Sequence, residues 1–225
     1  MKSINNYIFE KLVINRNINK IHYNYFPKTY GELKDLIKQR IEKDGNNCNL
    51  NDIDVSKITN FSYLFHDSKF NGDISEWDVS NATTMQEMFS KSEFTGDIST
   101  WDVSNVKNMG NMFYDCKFNG NISNWDVSNV ITFEFMFAFN KFFNKDISKW
   151  NLHKAKNLYG LFYYSVFNQD ISNWDVSSVS SLVFMFAHSK FNKDISKWKI
   201  NKNAATTGIF KDSQLDGKEK EWWNR

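Results

Sequence analysis

Few residues in this chain are of a type and spacing that could do covalent or metal chemistry. His22, His66, His153 and His188 are scattered, with no His-x-x-x-His pair and no cysteine beside any of them, so no zinc site is expected. No Gly-x-Gly-x-x-Gly, phosphate-binding loop or Gly-x-Ser-x-Gly occurs. Carboxylates recur at Asp78, Asp102, Asp126 and Asp175, a row broken by Asn151 and Lys199. It lacks the clustered oxygen ligands of a calcium loop. These patterns argue against an enzyme and against a cofactor. What remains is recognition chemistry, carried by seven aromatic residues: Tyr114, Phe135, Phe139, Tyr159, Tyr163, Tyr164 and Phe184.

The framework that must position them is a repeat. Phe-x-x-Asp-Ile-Ser-x-Trp-Asp-Val-Ser-x-Val, followed by x-x-Met-x-x-Met-Phe, returns with tryptophans at 77, 101, 125, 150, 174 and 198. The spacings are 24, 24, 25, 24 and 24 residues. A period of this size marks coils that stack on one another, each too small to bury its apolar face alone. The expected fold is a repeat solenoid of leucine-rich-repeat type, with parallel β-strands and short helical turns, preceded by a helical N-terminal cap. Trp-Asp-Val alternates as a strand would, and Met-x-x-Met-Phe has the i, i+3, i+4 spacing of one helical turn. Three segments are expected: a cap over 1–46, about seven coils over 47–217, and a polar tail over 218–225.

Within the cap, Ile8, Phe9, Leu12 and Val13 fit a short amphipathic helix over 5–15. A second helix should follow Pro27, opened by Thr29 and Glu32 as a capping box and stopped by Gly45. Its apolar face, Leu33, Leu36, Ile37 and Ile41, would cover the open first coil. That coil, at about 46–69, carries Ile53 where later coils carry Trp. The one extra residue of the period falls at 138–143, where Phe142 and Phe143 are doubled. Asp73, Ser75, Asp97 and Ser99 read as turn residues whose side chains bond nearby amides. Trp222 and Trp223 are expected to fold back as a lid.

Composition narrows the partner. Net charge is +2, with nine Lys+Arg against five Asp+Glu over 1–46 and 19 against 21 beyond, too even for a nucleic-acid surface. Cys48 and Cys116 lie about three coils apart. At about 4.8 Å per coil that puts them beyond disulfide reach. No 18-residue apolar run appears, so no membrane span is expected. Neither a signal peptide nor an anchor is evident, which favours a cytoplasmic or virion-associated protein over a secreted one.

Phe-Asn-Gly-Asp-Ile-Ser-Glu-Trp-Asp-Val-Ser-Asn at 70–81 and Asn-Val-Lys-Asn-Met-Gly-Asn-Met-Phe at 105–113 resemble the BspA-like leucine-rich-repeat surface proteins. The resemblance covers about 50–215. It implies a curved binding scaffold, used in some members for adhesion or host interaction, with no catalytic residues to carry over.

The seven aromatics stand out because they break the repeat's own rule. Around the Met-x-x-Met-Phe turn, earlier coils carry Gln86, Glu87, Ser90, Lys91, Gly110 and Asn111. The middle coils turn aromatic at such positions, which would gather into one exposed patch of the kind that marks recognition surfaces. A protein partner is expected. A glycan-binding adhesin or phage host-recognition protein, and an intracellular effector or inhibitor, are the alternatives.

Overall fold

Thr29 opens the first helix, α1 (Tyr30–Asp44), with an extended backbone and a hydroxyl that accepts the Glu32 N–H at 3.2 Å. The Glu32 carboxylate reaches back to the Lys28 N–H at 2.7 Å, one residue before the amide a full capping box would use. Gly45, at φ +86°, ends the helix and bonds the Ile41 carbonyl. Leu33 and Ile37 are buried, with Tyr30, Leu36 and Ile41 packed around them. Arg40 grips Asp52 at 2.9 and 3.1 Å, and the Tyr30 hydroxyl donates to the Ser62 carbonyl. The helix therefore lies over the first coil. The computed structural model describes residues 22–223, and the helix expected at 5–15 lies outside them.

Coil on coil, the repeat places like against like. Phe70, Phe94, Phe118, Phe143, Phe167 and Phe191 form one column of near-parallel rings, 6.1–6.4 Å apart. Phe65, Phe89, Phe113, Phe137, Phe162, Phe186 and Phe210 form a second, 5.5–5.8 Å apart. Each repeat tryptophan sends its indole N–H into the preceding coil. Trp77 donates to the Leu50 carbonyl, and Trp101 through Trp198 donate to Ile74, Ile98, Ile122, Ile147 and Ile171, at 2.9–3.1 Å. A buried indole thus loses no hydrogen bond, and each coil is stapled to the one before. Ile53 fills the tryptophan position of the first coil and is fully buried.

The expected parallel β-strand solenoid with helical turns is not what forms. Among the described residues, parallel pairing is confined to isolated bridges. One line of them runs through Asn60, Thr84, Asn108, Thr132, Asn157, Ser181 and Ala205, and none extends into a strand. Trp-Asp-Val cannot extend because turns close on both sides of it. Trp77 N–H bonds the Ile74 carbonyl, and Ala82 N–H bonds Val79. The Met-x-x-Met-Phe segment is not helical either. Its N–H groups alternate between two uses: Met85, Glu87, Phe89 and Lys91 donate to Asn108, Gly110, Met112 and Tyr114 of the next coil, while Met88, Ser90 and Ser92 close turns onto residues three earlier. Two residues per coil enter the left-handed region to permit this, for example Glu87 at +54° and Lys91 at +57°. From Met85 to Ser92 every backbone amide is used, Gln86 on the Thr84 hydroxyl, but in a ribbon of turns that is neither helix nor sheet.

The Asp-x-Ser pairs do what turn residues should. Asp73, Asp97, Asp146, Asp170 and Asp194 each accept the N–H of the serine two residues on, at 2.8–3.0 Å. In the last four, that backbone N–H, and then the serine hydroxyl, hold the carboxyl below the usual carboxylate range. A depressed native pKa gives stability that is fully present above the unfolded value of about 3.9 and is lost as pH falls through the native value. The melting temperature, followed by circular dichroism, should be flat from neutrality to about pH 5 and fall below about pH 4. A melting temperature that rises on acidification would contradict it.

The inserted residue is absorbed at one corner. Asn140, fully buried, accepts the Phe142 and Phe143 N–H groups and donates to the Phe118 carbonyl, leaving Phe143 in the core and Phe142 half exposed. At the far end a short helix, α2 (Lys218–Trp223), brings Trp222 and Trp223 within 5.9 Å of the last core ring, Phe210.

Candidate functional site

All seven aromatics singled out above meet in one continuous cluster on the ribbon of turns. Tyr114 abuts Phe139 edge-on at 5.4 Å, Phe139 abuts Tyr163 at 5.4 Å and stacks on Tyr164 at 5.1 Å. Phe135 meets Tyr159 at 4.7 Å, and Phe184 joins through Tyr159 and Tyr163 at 6.1 and 6.3 Å. None is buried as the core phenylalanines are; each is partly exposed. The cluster spans four coils and sits outside the two phenylalanine columns.

The backbone beneath it keeps the repeat's left-handed positions but loads them with bulky rings. Phe135, Phe139, Tyr164 and Phe184 have φ of +51°, +58°, +55° and +53°. Bulky side chains avoid this region because Cβ crowds the carbonyl oxygen, at roughly 1–2 kcal/mol per residue. The equivalent positions in the preceding coil hold Asn111 and Asp115, which tolerate it. The column of Phe135 continues as Gly160, Phe184 and Gly208, and the glycines explain how the rings lie. A Cβ on Gly160 would stand 2.2 Å from the Phe135 ring, and one on Gly208 2.4 Å from Phe184. Each phenylalanine therefore rests on the bare backbone of the next coil.

Beside the rings opens a cleft of about 370 Å³, with His66, Glu87 and Lys91 on one wall and Tyr114, Phe135 and Phe139 on the other. His66 Nδ1 stands 3.4 Å from Glu87 Oε2. Burial, and then neighbouring tyrosines beginning with Tyr164, push the Tyr163 hydroxyl up; burial, and then Asp115, do the same for Tyr114. These phenols stay protonated donors at neutral pH. A wider groove of about 870 Å³ runs along the junction of α1 with the first coil.

Sequence reasoning missed two members of this surface. His188 stacks on Tyr164 at 4.2 Å, in the same left-handed column as Phe139 and Tyr164. Aligning the coils would have found it, since it stands one period after Tyr164. Gly160 lay in an aromatic neighbourhood with no sign that a ring used its backbone. The residues better known for chemistry are occupied elsewhere. No group of three His, Cys, Asp or Glu is placed to hold a metal among the described residues. Cys48 and Cys116 are buried and unpaired with each other, and burial pushes the Cys116 thiol up. No helix among the described residues is long and apolar enough to cross a membrane.

No curated protein and no solved structure matches the chain. A family model described as Mycoplasma protein of unknown function, DUF285, matches it three times, over 33–138, 91–166 and 164–224. Such overlapping matches are what a register of equivalent coils produces. Together they span nearly all of the chain that α1, the coils and α2 occupy, and the protein belongs to the DUF285 family.

Proposed function

We propose that this protein is a non-enzymatic binding module that grips a protein partner through the aromatic ribbon of its middle coils. One observation carries the reading: four bulky aromatics occupy left-handed positions where the preceding coil folds with Asn111 and Asp115. Folding has no need of them there, and strained residues of this kind collect at recognition sites. Tyr and Phe held in a rigid network bind with little further loss of side-chain freedom. Five of the ring pairs meet edge to face, so the cluster presents ring edges as well as faces, which suits apolar protein side chains better than the flat stacking a sugar requires. The resemblance of the 24-residue phrase to the BspA-like repeat proteins supports a role in adhesion or host recognition.

The triple variant Phe135→Asn, Phe139→Asn, Tyr164→Asn tests this. Asparagine is at ease in the left-handed region, so the melting temperature should hold or rise. Capture of a partner from host extract, run beside a glycan array, should succeed with the native chain and drop at least about tenfold with the variant, the loss of roughly 1.4 kcal/mol or more that hot-spot residues carry. Equal capture by both proteins would sink the proposal. Binding confined to the glycan array would replace the protein partner by a sugar.

A further inference from the structure

A near-neutral total hides a reversal of charge between the two halves of the stack. Residues 46–140 carry five Lys against 13 Asp+Glu, net −8, and residues 141–211 carry 11 Lys against four Asp, net +7. The reversal follows equivalent positions from coil to coil. The exposed place of Glu76 is Thr100 and Asn124 in the next two coils, then Lys149, Asn173 and finally Lys197. Asp78, Asp102 and Asp126 give way to Asn151 and, after a return to Asp175, to Lys199; Asn81, Asn105 and Asn129 give way to Lys154, Ser178 and Lys202. The sign changes across 118–142, where Asn119, Asn121 and Asn124 take the exposed places. None of these positions belongs to the aromatic ribbon.

We infer that a second copy of this chain docks side by side and antiparallel along these charged columns. A surface that runs from negative to positive along one axis repels a parallel copy and complements an antiparallel one twice. That is the self-complementarity a two-fold dimer requires. The asparagine-rich 118–142 coil, with only Asp126, Glu134 and Lys141 charged, falls at the two-fold. The pairs are exposed, so the association is weak and screened by salt.

Sedimentation velocity on the full chain provides the test, at salt from about 0.02 M to about 1 M, where the screening length falls from over 20 Å to about 3 Å. The native chain should show a dimer at low salt that is lost at high salt. The variant Lys149→Glu, Lys197→Glu, Lys199→Asp installs the residues that the 70–93 coil already carries at these positions, so it should fold and stay monomeric. A second variant, Glu76→Lys with Thr100→Lys, installs the lysine that later coils carry. It leaves 46–140 at net −5 against +7, the −8 raised by two at Glu76 and by one at Thr100, so it should dimerise more weakly than the native chain at the same salt without losing the dimer. A native chain that stays monomeric at low salt overturns the inference, as does a dimer indifferent to salt or one kept at native strength by the Lys149→Glu, Lys197→Glu, Lys199→Asp variant. The inference is independent of the aromatic face: the Phe135→Asn, Phe139→Asn, Tyr164→Asn variant should dimerise as the native chain does, and loss of the dimer in that variant alone would overturn it.

Discussion

Phe113→Ala is expected to destabilise the protein by about 3–5 kcal/mol, the cost of truncating a fully buried phenylalanine. The ring is wholly inaccessible and lies at the centre of the second phenylalanine column. It contacts Phe89 at 5.7 Å, Phe118 at 4.2 Å, Phe137 at 5.6 Å and Trp125 at 6.4 Å, so the hole is walled by four rings on the two neighbouring coils. Those rings are themselves held in register by the indole bonds and the ribbon, and cannot move in to fill it. In a stack each coil touches only its neighbours, so a defect at mid-stack breaks the column into two shorter ones. The denaturation midpoint should fall sharply, and the transition should broaden or split. Phe210, which has core rings on one side only, should cost less when truncated, with Trp222 and Trp223 free to settle into the space. An equal loss at both sites would contradict this account of coupling between coils.

Gly160→Ala is expected to cost about 2–4 kcal/mol, more than an alanine normally costs anywhere on a surface. Part of this, roughly 1–2 kcal/mol, is the left-handed backbone at φ +60°, which a Cβ disfavours. The remainder is collision with the Phe135 ring, whose nearest atom would stand 2.2 Å from the new carbon. The two parts separate in a double-mutant cycle. Phe135→Asn removes the collision and leaves the backbone cost, so the two substitutions should couple by about 1–2 kcal/mol. Additive losses would mean that the ring does not rest on Gly160 in solution. The same cycle reports on the candidate site, because a Phe135 lifted off its glycine is no longer a fixed anchor.

Some features were legible from residues alone because their causes are local or periodic. Thr29, Glu32 and Gly45 bound α1 through amides within one turn of them, and the structure has that helix at Tyr30–Asp44. The return of Trp every 24 or 25 residues implied coils with equivalent residues in contact, and the ring columns are that contact. Asp-x-Ser implied turns that bond the serine amide. The seven aromatics could be picked out because they broke the repeat's rule. Their meeting in one cluster followed from stacking coils of equal length.

What the sequence misread was the backbone inside a coil. Alternation in Trp-Asp-Val suggests a strand and i, i+3, i+4 spacing suggests a helix, but both patterns record only which side chains point inward. Here the inward positions are met by consecutive turns, and the amides left over find carbonyls of the next coil, 23 residues on from Glu87 to Gly110. Nothing within a single repeat reports that bond, because its acceptor exists only once the neighbouring coil is in place. The same holds for the site: the sequence names the rings, whereas their tilt, their seat on Gly160 and the addition of His188 arise from one coil packing on the next. Composition and period determined by themselves that this chain stacks; the path of the backbone, and the face it offers, were decided by hydrogen bonds that form only between coils.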